Sequence, residues 1–341
     1  MHTTSSLLVA VPFAIGISLP GFIGLATTDA PWPDTSLLSG HYQRLYEDAF
    51  KGNMPLRDGA RAAYTALTMA VFHEAGPDVV IGDQNWIFTA EEFREPVEAV
   101  PFAETLSEVR DALAAHDITL IPIIVPDKAR VYADHLPRPR SAAIEARYDT
   151  SLGALSEMGF AAIDLRTVLV EARTTGATYM RTDTHWSPLG AQIAAEAVAA
   201  EAGLTSSGST SFETTFAAET AFQGDLRPFV DTGPFARWVG VDPETIVQPV
   251  TTSSASGLGL FDDPEIGIVL VGTSFSARTE FNFAGFLQEA TGQSLVSLAV
   301  EGRGPFAPMQ DALQSGAITD LSPTVVIWEI PERYIHTRTL P

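Results

Sequence analysis

Three side chains in two separate stretches of this sequence are of the types that nucleophilic catalysis needs. Asp183 and His185 lie two residues apart, and Ser274 follows much later in the chain. A carboxylate at this spacing can accept the imidazole Nδ1–H, which fixes the tautomer and leaves Nε2 free to take a proton from a hydroxyl. Ser274 supplies such a hydroxyl if the two stretches meet in the fold. The three residues are therefore candidates for a nucleophile, a general base and the carboxylate that orients the base.

Ser274 stands between a strand-like run and a helical pattern. The run Ile266–Val271 is apolar on both faces, as in a buried parallel strand, and Gly272 ends it before helical spacing begins near Arg278. A strand, a tight turn and a helix can present a serine at the carboxyl edge of an α/β sheet, with its own N–H facing a developing oxyanion. Serine and threonine at such turns also cap helices, and on this stretch alone capping is the more frequent role.

The Asp183–His185 pair also has alternative interpretations. It stands in a connection before a helix that begins near Ser187-Pro188, so Asp183 could cap that helix. The pair could be half of a metal site, but the other histidines show no ligand spacing, and we predict neither a metal nor a cofactor. A glycosidase would need two carboxylates. Glu329 and Glu332 are available, but no pattern distinguishes them from surface charge.

Alternating strand-like and helix-like patterns surround these residues. The strand-like stretches are 79–88, 119–126, 160–165, 266–271, 294–300 and 324–330. Their alternation with helices predicts a parallel sheet covered on both faces, and catalytic groups in such sheets collect at the carboxyl ends of the strands. Residues 203–264 lose this pattern and are rich in Ser, Thr, Gly and Pro, which predicts an insertion, a lid or a small β element.

Composition narrows the class of protein. The chain has 341 residues, 45% of them hydrophobic, and a formal net charge of −22, with Lys51 and Lys128 as its lysines. Binding of phosphate groups needs a basic surface, so nucleic acid is not expected as a partner. The chain contains no cysteine, which rules out disulfides and thiolate metal sites and fits an exported protein.

The N-terminal residues predict export. Leu7–Ala26 is uncharged, mostly apolar and long enough to span a bilayer. Small residues near Ala26–Ala30 also suit cleavage, so residues 1–30 are predicted to be a signal peptide or a signal anchor. The alternative is a buried hydrophobic helix. We expect a periplasmic protein, with association to the inner membrane if residues 7–26 are retained.

Several motifs resemble one known family. Asp183-Thr-His-Trp186 followed by Ser187-Pro-x-Gly190, and Gly272-Thr-Ser-Phe-Ser276, are similar to the signatures of AlgJ/AlgX-type alginate O-acetyltransferases. These are exported SGNH hydrolase-like proteins that acetylate bacterial exopolysaccharides. The supporting matches are Gly82–Phe88, Val125–Ala129 with Tyr132, Gly224–Leu226 and Ile327–Tyr334. They span about residues 78 to 335 in the expected order.

The resemblance implies a fold and a reaction. The fold is a three-layer α/β/α SGNH hydrolase-like domain over residues 31–341, circularly permuted so that Asp183 and His185 precede Ser274. The implied reaction has two steps: Ser274 takes an acetyl group, and a polysaccharide hydroxyl then removes it, with His185 moving protons in both. The resemblance also implies that a membrane-bound O-acyltransferase delivers the acetyl group, and it leaves the acetyl donor itself open. The strong acidity of the chain keeps the predicted acceptor no narrower than an exopolysaccharide.

Four further residues are candidates for contacts with the substrate. Asn282 and Arg303 could assist the Ser274 N–H in an oxyanion hole, although a surface role for Asn282 and a plain turn around Arg303 are alternatives. Trp186 and Trp328 could stack on sugar rings, with core packing as the alternative because Trp is buried on average.

Two rival functions remain at this stage. The first is an esterase with the same three residues that passes the acetyl group to water instead of a sugar. The second is a non-catalytic polysaccharide-binding subunit of an export complex, which would have no use for all three residues. Convergence of the three side chains would discriminate against this second class.

Overall fold

The computed structural model describes residues 18–29, 41–95, 101–204, 210–255 and 266–335. The chain divides into two compact units. The smaller unit contains residues 1–75 and 230–240, and the larger contains residues 76–229 and 241–341. Residues 7–17 of the predicted N-terminal span lie outside the described residues. Within the described ranges, no helix is both long enough and apolar enough to cross a membrane.

Helices make up much of both units. In the described ranges they are α1 (residues 18–27), α2 (His41–Asn53), α3 (Arg57–Phe72), α4 (Phe102–Ala114), α5 (Lys128–Val131), α6 (Ala142–Glu157), α7 (Leu165–Ala172), α8 (Pro188–Glu201), α9 (Ala236–Val239), α10 (Ser274–Ala277), α11 (Phe283–Thr291), α12 (Phe306–Ser315) and α13 (Ala317–Leu321). The smaller unit consists of α1, α2, α3 and α9 with the turn before α9. Its α3 buries Ala62, Ala66 and Met69 on one side.

All strands of the described residues belong to the larger unit. They are β1 (Val79–Ile81), β2 (Ile87–Thr89), β3 (Thr119–Val125), β4 (Thr210–Phe216), β5 (Thr220–Phe222), β6 (Glu244–Ile246), β7 (Pro249–Ala255), β8 (Ile266–Val271), β9 (Ser294–Ser297) and β10 (Val325–Pro331). The central sheet has the order β3–β10–β8–β9, and all of its neighbouring strands are parallel. The carboxyl ends of these four strands therefore meet at one edge.

Strands β3, β10 and β8 of this sheet are buried on both faces along most of their length, which explains their continuous apolar runs. Ile123 and Ile327 belong to a core shared with α7, α8 and α11. Their neighbours Ile124 and Val326 point the other way, into a core shared with α4, α6 and α12. Each fully buried side chain of this size contributes about 1.5–3 kcal/mol of transfer free energy. The prediction of an α/β/α domain with a mostly parallel sheet is confirmed.

One predicted strand is wrong. Residues 160–164 form no regular structure, and helix α7 begins at Leu165. The side chain of Asp164 caps this helix by accepting the Thr167 N–H at 3.3 Å. Ile163 is nevertheless 3% exposed. The apolar run was therefore a correct signal for burial, but its backbone pairs with no strand of the sheet.

The described parts of region 203–264 contain small antiparallel elements. Strand β4 pairs with β7, and β5 pairs with β6, each as a two-stranded ribbon. Residues 205–209 and 256–265 lie outside the described residues. Whether this region acts as an insertion or a lid stays a prediction.

Helix α8 approaches the preceding loop closely at Gly190. A Cβ atom at this position would lie 2.0 Å from the Thr178 carbonyl oxygen. We expect Gly190→Ala to lower the free energy of unfolding by about 1–3 kcal/mol, because the backbone of one segment must move. Chemical denaturation measures this change.

Gly153 in α6 is the matched control, since a Cβ atom there meets nothing within 4 Å. Gly153→Ala should stabilise the protein by about 0.5–1 kcal/mol, the ordinary gain for alanine in a helix interior. Equal effects of the two substitutions would contradict the close approach of α8.

Candidate active site

Ser274 is the first residue of α10 and is separated from the end of β8 by Gly272 and Thr273. The hydroxyl of Thr273 caps this helix by accepting the Phe275 N–H at 3.3 Å. Capping is therefore performed by Thr273, and the Ser274 hydroxyl is available for another partner. As the first residue of the helix, Ser274 also has an N–H without an intrahelical acceptor.

The turn that carries Ser274 rests on a buried carboxyl group. Glu329 of β10 is fully buried and accepts the Thr273 N–H at 2.7 Å and the Ser276 hydroxyl at 3.1 Å. Gly272 leaves room for this carboxyl, because a Cβ atom there would lie 2.5 Å from Glu329 Oε2. Burial raises the pKa of Glu329, and its hydrogen bonds with Thr273 and Ser276 oppose that rise. The neighbouring strand thus fixes the position of the turn.

Asp183 and His185 lie in a narrow loop that closes on itself. Tyr179 and Trp186 form an isolated antiparallel bridge across its base. Ser187 ends the loop and caps α8 by accepting the Gly190 N–H at 3.1 Å. The helix cap is thus provided by Ser187, and the carboxylate of Asp183 is free to bind within its own loop.

The three predicted side chains form a continuous hydrogen-bonded chain. His185 Nδ1 lies 2.5 Å from Asp183 Oδ1, and His185 Nε2 lies 2.7 Å from Ser274 Oγ. Asp183 also accepts the His185 backbone N–H at 2.9 Å. The imidazole is 4% exposed and lies against the rings of Phe275 and Phe281, with centroids at 4.7 and 5.5 Å. This geometry suits proton transfer between Ser274 and His185.

The second oxygen of Asp183 is also fully occupied. It accepts the Asp225 N–H at 2.8 Å and Arg278 Nη1 at 3.1 Å. Burial alone would raise the pKa of Asp183. The hydrogen bond and charge of His185, together with the Arg278 guanidinium, hold that pKa well below its usual range. Asp183 is therefore an ionised, buried carboxylate at neutral pH.

Asp225 brings a further carboxylate to the site. Its Oδ1 accepts the Thr184 N–H at 2.8 Å, and its Oδ2 lies 3.8 Å from His185 Nδ1. In the described part of the chain, Asp183, His185 and Asp225 are the group whose spacing could hold a metal ion. However, the Arg278 guanidinium already binds the same Asp183 carboxylate, so this position has its own cation.

A cleft of about 250 Å³ opens beside Ser274 and His185. Its lining includes Arg333, whose Nε lies 3.3 Å from Glu91 Oε2 and whose guanidinium lies 5.5 Å from the ring centroid of Phe275. Arg333 is only 6% exposed. It places a fixed positive charge in the cleft of an otherwise acidic protein.

In the described part of the chain, neither predicted oxyanion helper forms a hydrogen bond with Ser274 or His185. Arg303 is exposed and pairs with Asp311, whereas Gly302 and Gly304 on either side of it line the cleft. Asn282 directly precedes α11 with φ at 56°, and its amide donates to the hydroxyl of Thr251 in β7 at 2.8 Å. Both predictions placed the residue near the correct edge of the sheet but did not determine the direction of its side chain.

The two predicted tryptophan platforms are fully buried. Trp186 is 0% exposed and packs against Phe275 and Phe283. Trp328 is also 0% exposed, lies in the core shared with α4 and α12, and donates its Nε1–H to the Pro305 carbonyl at 2.9 Å. Neither indole has a free face for a sugar ring, so core packing is the correct interpretation for both.

Sequence reasoning missed several polar residues that build this site. Glu329 had no signal beyond its place in an apolar strand, and Asp225 lay in a short Gly-Asp-Leu match. The glycine of this match, Gly224, was a better signal for the position of Asp225. A Cβ atom at Gly224 would lie 2.1 Å from the Thr182 carbonyl oxygen. This close approach brings the Asp225 N–H to Asp183.

A parallel sheet between helical layers, with a serine and a histidine meeting at its carboxyl edge, defines an SGNH hydrolase-like α/β protein. A family model described as "SGNH hydrolase-like domain, acetyltransferase AlgX" matches residues 79–332. The chain belongs to this AlgX-type acetyltransferase family.

Individual relatives agree with this assignment. The probable alginate O-acetylase AlgJ of Pseudomonas putida is 34% identical, covering 88% of this chain and 81% of that protein. AlgJ of Pseudomonas aeruginosa, which carries the same description, is 33% identical and covers 93% of this chain and 84% of its own. The solved O-acetyltransferase domain of P. putida AlgJ is 32% identical and has a TM-score of 0.68, covering 76% of this chain and 92% of that chain.

The depressed pKa of Asp183 predicts a pH-dependent contribution to stability. An ionised Asp183 stabilises the folded state fully above the pKa of an unfolded aspartate, and this contribution is lost as the pH falls through the lower folded-state pKa. We therefore expect Asp183→Asn to reduce the free energy of unfolding more at pH 7 than at pH 3. Urea denaturation of both proteins at the two pH values measures the difference. A larger loss at pH 3 would contradict the assigned direction of the pKa shift.

Proposed function

We propose that this protein is an O-acetyltransferase that transfers acetyl groups to hydroxyls of a bacterial exopolysaccharide, with Ser274, His185 and Asp183 as its catalytic triad. The observation that carries the proposal is the unbroken chain of hydrogen bonds from Asp183 through His185 to Ser274. Membership of the AlgX-type acetyltransferase family supports the reaction class. The relatives are named as probable alginate O-acetylases, which supports a polysaccharide acceptor.

The first half-reaction loads the serine. Ser274 Oγ gives its proton to His185 Nε2 and forms a bond to the acetyl carbonyl carbon of the donor. The tetrahedral intermediate collapses by breaking the bond between that carbon and the donor oxygen, which takes the proton from His185. Asp183 holds the imidazole by Nδ1 and stabilises the imidazolium while it exists.

The second half-reaction reverses the roles. A sugar hydroxyl gives its proton to His185 Nε2 and attacks the acetyl–serine carbonyl, and Ser274 Oγ leaves with that proton. In both halves, the free Ser274 N–H is the proposed oxyanion donor, because it starts a helix and has no intrahelical acceptor. The acceptor therefore decides between transfer and hydrolysis, since water can take the place of the sugar.

The setting of the reaction is also part of the proposal. We propose that the protein works in the periplasm, with residues 1–30 as its export signal or membrane anchor. A membrane-bound O-acyltransferase would deliver the acetyl group. Region 203–264 would help to shape the acceptor site, since Leu226 and Phe229 line the cleft.

Removal of the nucleophile should abolish transfer. We expect Ser274→Ala to lower the rate of acetyl release from a chromogenic acetyl ester by about 10³-fold or more, because no acetyl–serine can form. Wild-type protein should move part of the released acetyl group onto an added acidic or neutral oligosaccharide, detected by mass spectrometry. Ser156→Ala, an exposed change in α6, is the control and should keep full activity.

The other outcomes separate the rival functions. Serine-dependent release that no oligosaccharide diverts from water would favour an esterase. Absence of serine-dependent release with every donor would favour a binding subunit and contradict the proposal.

A further inference from the structure

Lys128 is a buried cation directly beneath the loop that carries Asp183 and His185. It is the first residue of α5 and is 1% exposed. Its ammonium group donates to the carbonyl oxygens of Ile87 at 2.5 Å, Arg181 at 2.9 Å and Asp183 at 2.9 Å. A protonated lysine has three N–H donors, so each donor has one carbonyl partner.

Aromatic rings complete the environment of this ammonium group. Nζ lies 5.2 Å from the ring centroid of Trp86 and 5.4 Å from that of Phe88. Both distances are within the range of cation–π attraction. The environment is therefore built for a cation, since a neutral amine would lose the attraction and leave one of the three carbonyls without a donor.

The position of these carbonyls connects Lys128 to the chemistry. Two of the three belong to Arg181 and Asp183, in the same loop as His185. The bond to the Asp183 carbonyl fixes the backbone from which the Asp183 carboxylate projects. A shift of this peptide would lengthen the hydrogen bond between Asp183 and His185, and through it would misalign Nε2 with Ser274.

We propose that protonated Lys128 is a positioning residue that holds the Asp183–His185 pair in register with Ser274, so that the acetyl-transfer activity requires Lys128 to carry its charge. This inference rests on the proposed function for its kinetic part. Its structural part, the dependence of the Asp183–His185 hydrogen bond on Lys128, can be measured without any substrate.

The charges around Lys128 define the pH range in which it acts. Burial lowers the pKa of Lys128 to about 8, and the facing carboxylates of Glu92, Asp183, Glu244 and Asp225 oppose this shift. Lys128 is therefore protonated below this pH and becomes neutral as the pH rises through it. We expect acetylation of Ser274 to decline on the alkaline side with the same midpoint.

The titration of Lys128 can be observed directly because the chain contains only two lysines, Lys51 and Lys128. Wild-type protein labelled with ¹³C at lysine Cε should give two NMR signals. Lys51→Arg removes the Lys51 signal and thereby assigns the remaining signal to Lys128. Lys51 is suited to this substitution because it is an exposed residue that pairs with Glu47. The Lys128 signal should titrate with a midpoint near the alkaline decline in the rate of Ser274 acetylation.

Two substitutions test the requirement for charge. Lys128→Met keeps much of the side-chain length but removes all three donors. We expect the rate of Ser274 acetylation to fall about 10- to 100-fold at pH 7, which is the effect expected from losing the buried charge-assisted hydrogen bond to the Asp183 carbonyl alone. Lys128→Arg stays protonated at alkaline pH. The residual activity of Lys128→Arg should therefore show no alkaline decline. A merely structural role of Lys128 would not predict this loss of the decline.

A substrate-free readout separates failure of this inference from failure of the proposed function. His185 Nδ1 lies 2.5 Å from Asp183 Oδ1, so the proton shared by this hydrogen bond should give a downfield ¹H signal. This signal should weaken in folded Lys128→Met, and it should weaken in the wild type as Lys128 deprotonates. If this signal depends on Lys128 but no donor acetylates Ser274, the proposed function fails and the structural role of Lys128 stands. An unchanged signal and a full rate in Lys128→Met, or a retained alkaline decline in Lys128→Arg, would overturn the inference.

Discussion

The hydrogen bond between Asp183 and His185 is the interaction on which the rest of the site depends. A carboxylate that is 0% exposed is costly unless it is paired and hydrogen-bonded. Here its two oxygens are bound by the imidazole, by two backbone N–H groups and by Arg278. These donors keep Asp183 ionised, and an ionised Asp183 is what orients the imidazole toward Ser274.

The same constraint explains why buried polar groups surround the site. Glu329 holds the turn of Ser274, and Lys128 holds the loop of Asp183, each by hydrogen bonds to backbone groups. The segments that carry Ser274 and Asp183 are therefore positioned by side chains from β10, an inner strand of the sheet, and from α5, the helix that follows the edge strand β3. The missing side chains of Gly272 and Gly224 leave room for the Glu329 carboxyl and for the backbone of Thr182, respectively. A site held in this way needs little reorganisation when charge develops in the reaction.

Short-range patterns in the sequence predicted a parallel sheet and made the three central residues candidates. The run before Gly272 is apolar on both faces, and only a strand buried between two layers needs that pattern. Asp183 and His185 are close in sequence, so their contact required no knowledge of the fold. The pairing with Ser274 was conditional on the two stretches meeting at the carboxyl edge of the sheet, and only the family resemblance implied that they do.

Predictions that depended on side-chain direction or exposure were wrong. Asn282 and Arg303 lie near the site but bind Thr251 and Asp311. Trp186 and Trp328 were candidates for sugar platforms, with core packing as the alternative, and burial of their large apolar surface was the stronger effect. Glu329 resembled surface charge because its partners, Thr273 and Ser276, are distant in sequence. Such contacts are set by tertiary packing, which periodicity does not encode.

Trapping of the acyl intermediate tests the central claim most directly. Wild-type protein and His185→Ala would be mixed with an isotopically labelled acetyl ester, quenched rapidly and digested for mass spectrometry. The account predicts one labelled acetyl group, located on Ser274 in the wild type and strongly reduced without His185. A label on another residue, or equal labelling of Ser274 in both proteins, would contradict the role assigned to the Asp183–His185–Ser274 chain.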